Sequence, residues 1–201
     1  MRDSPLRGLR SVLLPRRKKD DAVVAEAVFG PLPAAGASSR RRDLVEFLSR
    51  VLLFEELDRT ELARVARAAH ERTYSDGEYV YEQGKPGAAL FLVWSGAVEI
   101  RQRRRDGEEV PLILLEPPAS FSEQAALGLD TVRWTSAVAR GPVTLAALGS
   151  SDLEALARRF PVLASKVLRK LAQITALRLQ ILIDAEFLAE ERPVAGDEPS
   201  E

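Results

Sequence analysis

The chain is predicted to be an α+β protein in which two short helices precede a series of β segments and one long helix closes the sequence. Three observations carry this. Apolar residues recur at helical spacing after Asp43 and after Asp58, glycines punctuate β-rich segments from Arg72 to Leu148, and heptad-spaced apolar residues run from Phe160 to Leu188.

Residues 1–42 are expected to form a basic, disordered extension. They hold Pro5, Pro15, the run Arg16-Arg17-Lys18-Lys19 and a linker from Gly30 to Ser39, a composition that buries too little apolar surface to offset the entropy of ordering. Residues 1–20 carry seven Arg or Lys against two Asp. Within residues 1–19, Leu6, Leu9, Val12 and Leu13 could instead line one face of a short helix touching a membrane surface or a partner. DNA binding is not expected of residues 1–19, which have no aromatic residue for stacking and no reading helix behind them.

The folded domain is expected over residues 43–158. Leu44, Phe47, Leu48 and Val51 form a first helical stripe; Asp58 with Glu61 makes a capping-box start for a second, lined by Leu62, Val65, Ala66 and Ala69. His70 is placed at the end of that second helix, where the helix dipole accounts for it. Strands are expected at Tyr79 to Tyr81, Ala89 to Trp94, Ala97 to Arg103, Val110 to Leu115, Thr135 to Ala139 and Val143 to Leu148, arranged as a compact barrel or sandwich. Arg103 to Glu109 reads as a hairpin turning at Asp106-Gly107, with opposed charges pairing across its exposed end. Ser150 or Ser151 is expected to cap a short helix containing Leu153, Leu156 and Ala157.

Residues 159–191 are expected to be one long helix opened by Pro161, and residues 192–201 an acidic tail. In the helix, Phe160, Val167, Ile174, Ile181 and Leu188 fall at seven-residue spacing, while Leu171, Leu177, Leu179 and Ile183 make it apolar on more than one face. A helix packed only within its own chain accounts for one face. The expected arrangement covers the β domain with one face and pairs the seam of Val167, Ile174, Ile181 and Leu188 with a second copy in a parallel homodimer.

Composition narrows the function classes. Cysteine is absent and His70 is the one histidine, which removes thiolate chemistry, disulfides and the usual zinc ligand sets, and no Gly-x-Ser-x-Gly elbow accompanies the histidine. The chain is therefore not expected to be an enzyme or to hold a metal. No apolar stretch approaches the roughly 20 residues that span a bilayer and no secretion signal is recognisable, so a cytoplasmic location is expected.

The segment from Phe121 to Trp134 carries the site. Glu123 opens the short run Gln124-Ala125-Ala126-Leu127, one or two turns of helix that Ser120 or Ser122 could cap and whose free N–H groups would attract an anion. Arg133, ten positions after Glu123 and beyond the loop Gly128-Leu129-Asp130, can return its planar fork to the same spot and grip a phosphate. Glu123 would repel phosphate, so its task is to accept hydrogen bonds from a neighbouring sugar hydroxyl. Taken alone, a surface salt bridge is the competing account of such a pair.

The wider pattern resembles the cyclic nucleotide-binding domain family, including the catabolite-activator-like regulators. It is carried by Leu53-Phe54 with Leu57, Thr73-Tyr74, Asp76-Gly77-Glu78, the run from Gly84 to Val93, Gly96, the Phe121 to Arg133 segment and the long helix after Phe160-Pro161. The resemblance implies an eight-stranded antiparallel β-roll flanked by short N-terminal helices and a long C-terminal helix. It implies cAMP or cGMP as ligand, Glu123 as acceptor of the ribose 2′-hydroxyl, Arg133 as partner of the cyclic phosphate, and backbone N–H groups from Glu123 through Gln124 to Ala125 as the rest of the anion cradle.

Three departures accompany it. Ser122 stands where the family has glycine, which is tolerated if its backbone avoids positive φ. Trp134 follows the arginine in place of Ser or Thr and could stack on the base, while Thr135 could restore a hydroxyl. Leu182-Ile183 replace the polar pair with which the long helix reads the purine. No recognition helix follows the long helix, so DNA is not an expected partner. The expected function is a stand-alone cyclic-nucleotide sensor acting through dimerisation or an unknown protein effector. The alternative is a ligand-free β-roll scaffold.

Overall fold

The computed structural model describes residues 37–124 and 131–190, leaving the side chains of 37, 38, 131, 182 and 185–190 aside. The basic arm, Ala125 with the rest of its loop, and the acidic tail lie outside the described residues. So do the side chains of Leu182 and Leu188.

Helix α1 (Ala37–Leu48) starts ahead of the expected onset at Asp43 and buries Leu44, Phe47 and Leu48. A 3-10 turn (Leu52–Phe54) follows and buries Leu53 and Phe54. Helix α2 (Arg59–Ala68) begins as its sequence requires: Asp58 Oδ1 accepts from the Thr60 and Glu61 N–H groups at 2.7 and 2.8 Å, and Glu61 Oε2 accepts from the Asp58 N–H at 2.9 Å. The helix ends before His70. Ala69 turns to an extended conformation, and His70 opens strand β1 (His70–Tyr74) opposite Ala147, its Nε2 3.2 Å from Asp152 Oδ2. The helix-dipole account of His70 is thus replaced by a strand position beside a carboxylate.

The mixed fold with an antiparallel β-roll is the one observed, but its strands divide differently from the sequence reading. The main sheet runs β1-β8-β4-β5, with β2 (Tyr79–Tyr81) also on β8 and β6 (Ser120–Phe121) also on β4; β3 (Pro86–Gly87) and β7 (Thr131–Val132) form a separate pair. Strands β4 (Ala89–Arg103) and β8 (Ser136–Gly149) are each continuous where two strands were expected. Gly96 bends β4 without ending it: at φ +79° a Cβ there would sit 2.4 Å from the Pro142 carbonyl, and the register with β8 shifts on either side of Ser95. Strand β5 (Glu109–Leu115) completes the expected hairpin, with Arg103 opposite Glu109 and their side chains 3.1 Å apart.

Strand β4 is covered on both faces from Ala89 to Val93. Leu90 and Leu92 join Ala146 and Leu148 in one core with Phe47, Phe54, Val65 and Leu171 from the helices. The intervening Phe91 stacks on Phe121 at 5.3 Å, with Tyr81 6.1 Å from each ring. Period-two alternation thus sends one face of the strand to the helical base and the other to the inside of the roll.

Helix α3 (Ser150–Arg159) is not capped by a serine. Gly149 is its N-cap, and Asp152 Oδ2 accepts from the Gly149 N–H at 3.3 Å. Helix α4 (Pro161–Glu190) then packs its first half against the helical base through Leu163, Val167 and Leu171, which are buried, and Ile174, which is partly so. This corrects the expected seam: Val167 and Ile174 serve their own chain. Val162 and Leu168 are exposed in this half; further along, Leu177, Leu179, Ile181 and Ile183 are exposed. Among the described residues no helix is long and apolar enough to cross a membrane.

Candidate functional site

One corner of the roll gathers the end of β2, the loop from Gly84 to Ala89, the end of β6 and the residues after β7. The Arg133 backbone is strapped to that loop: its N–H donates to the Lys85 carbonyl and its carbonyl accepts from the Gly84 N–H, each at 2.9 Å. With β3 paired to β7 beside it, the side chain has little choice but to lie over the loop.

The Arg133 guanidinium stacks on the Tyr81 ring at 4.3 Å and lies against Gly87, where an added Cβ would come within 1.7 Å of its Nε. Only glycine leaves room for it there. Nη1 donates to the Ser122 hydroxyl, Nη2 is 3.4 Å from the Ala89 carbonyl, and the buried Nε has no acceptor among the described residues. Burial pushes the Arg133 pKa below its ordinary value, and no described carboxylate pairs with it. A desolvated cation without a counter-charge is costly unless an anion joins it.

Glu123 opens a short 3-10 turn beside this cluster. Its Oε1 accepts from Ser120 Oγ at 3.2 Å and from Arg178 Nη1 of α4 at 3.0 Å. Tyr81 lies within reach of both charges of the corner, and burial chiefly raises its pKa.

Three comparisons bear on this geometry. Residues 71–160 match the family described as cyclic nucleotide-binding domain. Over these residues the chain is similar to cyclic nucleotide-binding domains.

Outside this family description, a 121-residue stretch is 30% identical to the cGMP-dependent protein kinase of Caenorhabditis briggsae, covering 60% of this chain and 16% of the kinase. The catabolite activator protein of Thermus thermophilus is similar in structure, with a TM-score of 0.61, 34% identity, and coverage of 69% of this chain and 63% of the activator. The N-terminal domain of a transcriptional regulator from Streptomyces coelicolor gives a TM-score of 0.61 and 29% identity, over 69% of this chain and 96% of that domain. The chain spans about a sixth of the kinase's length and under two thirds of the activator's.

Within the matched stretch, the structure brings Ser122 and Arg133 into direct contact and sets Glu123 beside them. The condition attached to Ser122 is not met: its φ is +66°, in the left-handed region that favours glycine. Ser120 donates to the Glu123 carboxylate and Ser122 to the Ala89 carbonyl at 2.6 Å, while the run from Ala125 that either could cap lies outside the described residues. Gln124 is exposed. Trp134 is 78% exposed, so it does not fill the corner, and the Thr135 side chain lies beside Tyr81.

Sequence reasoning missed three contributors. Tyr81 read as a strand residue, Gly87 as one of a series of glycines, and Arg178 was not singled out. Arg178 did carry a signal: a lone cation between Leu177 and Leu179 on an apolar helix needs an acceptor, and Glu123 is that acceptor.

Proposed function

We propose that the protein is a regulatory sensor that binds cAMP or cGMP through Glu123 and Arg133. The cyclic phosphate meets the Arg133 guanidinium and the N–H groups of the turn that Glu123 opens, while the ribose 2′-hydroxyl donates to Glu123. Both described contacts of the Glu123 side chain use Oε1, which leaves Oε2 to accept from a ligand. Trp134, exposed beside the arginine, offers its ring to the base.

One observation carries this reading: Arg133 is a half-buried cation whose buried Nε–H has no partner and which pairs with no carboxylate among the described residues, held in place by an aromatic ring and a glycine. The residues present suit a monoanionic phosphodiester. A ligand-free scaffold would gain from a corner filled by Trp134, and Trp134 is 78% exposed. Isothermal titration with cAMP and cGMP, with adenosine as a phosphate-free control, tests the proposal. Heat with either cyclic nucleotide and none with adenosine is expected; equal responses to all three would refute a phosphate-directed site.

The output we assign to α4 is a homodimer through its distal half, where Leu177, Leu179, Ile181 and Ile183 are exposed. Replacing Leu177 and Ile181 by Asp should halve the native mass in light scattering without unfolding the domain. A wild type that is already monomeric at micromolar concentration rejects this assignment, and with it dimerisation as the route to an effector.

A further inference from the structure

Ser122 stands at φ +66°, a conformation that costs a side-chain-bearing residue about 1 kcal/mol relative to glycine. Something must offset that cost, and the hydroxyl is where to look. Ser122 is buried, and its Oγ donates its proton to the Ala89 carbonyl at 2.6 Å. With the proton committed to β4, the remaining lone pairs face outward, and Arg133 Nη1 donates to one of them. The same Ala89 carbonyl lies 3.4 Å from Nη2. One hydroxyl therefore joins the end of β6, the start of β4 and the guanidinium into a single polar cluster.

We propose that Ser122 is a positioning residue, whose hydroxyl, oriented by the Ala89 carbonyl, holds the Arg133 guanidinium in the corner for an anionic ligand. The inference rests on the cyclic-nucleotide reading above and assigns to this residue a role within it. A buried arginine is usually oriented by a carboxylate, which also neutralises it. A hydroxyl orients without neutralising, so the whole positive charge of Arg133 stays available to a phosphate. Stacking on Tyr81 covers one face of the guanidinium, Gly87 bounds one edge, and Ser122 anchors Nη1 against rotation about the Cζ–Nε bond. Removing the hydroxyl leaves the stacking and frees that rotation.

Alanine and glycine at position 122 separate this role from a merely structural one. Both remove the hydroxyl; Ser122→Gly also removes the φ strain, whereas Ser122→Ala keeps it. Titration of the wild type and both variants with cAMP and cGMP is expected to show affinity weakened about fivefold in each, the share of a neutral hydrogen bond, even though the glycine variant melts at or above the wild-type temperature. Nitrogen NMR of the Arg133 side chain in the ligand-free protein is expected to show rotation about its Cζ–Nε bond slow in the wild type and fast in both variants. Wild-type affinity in Ser122→Gly, or rotation unchanged in both variants, overturns the proposal while leaving the ligand reading standing. No binding of either nucleotide by the wild type overturns the ligand reading and this role with it.

Discussion

From Pro161 to Thr175, helix α4 buries Leu163, Val167 and Leu171 in the helical base and is flanked by ion pairs from Lys166 to Glu61, Arg169 to Glu56 and Lys170 to Glu55. From Ala176 onward the same helix exposes Leu177, Leu179, Ile181 and Ile183, and its described ion pair with the domain is Arg178 to Glu123, in the candidate site. The first half is held by packing, which a small ligand cannot undo. The second touches the domain at a residue to which a ligand would bind. If a nucleotide binds at Glu123 as we propose, the root of this helix should stay fixed while its far half responds.

The largest effect that separates the halves comes from cavity formation. Leu171→Ala, at a fully buried position, should destabilise the protein by about 2–5 kcal/mol in denaturant unfolding, while Leu177→Ala should stay within about 0.5 kcal/mol. Equal losses at the two positions would contradict the division. Next comes Lys166, whose Nζ lies 2.7 Å from the buried Glu61 carboxylate: Lys166→Ala should cost about 1–2 kcal/mol, softened because Glu61 keeps its bond from the Asp58 N–H.

A pH series sharpens the view of the base to which the root is tied. The Glu61 and Thr60 N–H groups hold the Asp58 carboxyl below its ordinary range. A depressed folded pKa means the stability it contributes is present above the unfolded value of about 4 and is lost as pH falls through the folded one. Melting temperature should therefore decline between about pH 5 and pH 3, and Asp58→Asn, which keeps the cap without the titration, should flatten part of that decline. The smallest stability effect belongs to the distal half. Arg178→Ala removes an exposed ion pair and should change unfolding by under about 1 kcal/mol, yet it should raise amide hydrogen exchange beyond Thr175 while leaving the root protected.

Much of the root was legible in the sequence because packing leaves a period. Asp58 with Glu61, the stripe of Leu62, Val65 and Ala66, and the run of α4 from Pro161 all follow from spacing alone. The assignment of the heptad seam went astray for a physical reason: periodicity says that Val167 and Ile174 are covered, not by whom, and they are covered by their own chain. Gly96 misled in another way, since a glycine at positive φ can bend a strand as readily as end it.

The corner was legible only in its two charges. Glu123 and Arg133 stand out as residue types, but the partners that orient them are a ring, a missing Cβ, a carbonyl and a hydroxyl, and these have no period. Ser122 shows the limit most clearly. Its identity suggested a backbone away from positive φ, and the structure has φ +66° with the hydroxyl in two hydrogen bonds.

The central claim is that Arg133 awaits the phosphate of a cyclic nucleotide, and the most direct measurement is isothermal titration of the wild type and Arg133→Ala with cAMP and cGMP. The wild type should bind at least one of the two, and the variant should bind it roughly 100-fold more weakly, as expected for loss of a charge-assisted pair of about 2–3 kcal/mol. No heat from the wild type at submillimolar nucleotide, or the same affinity in the variant, would contradict it.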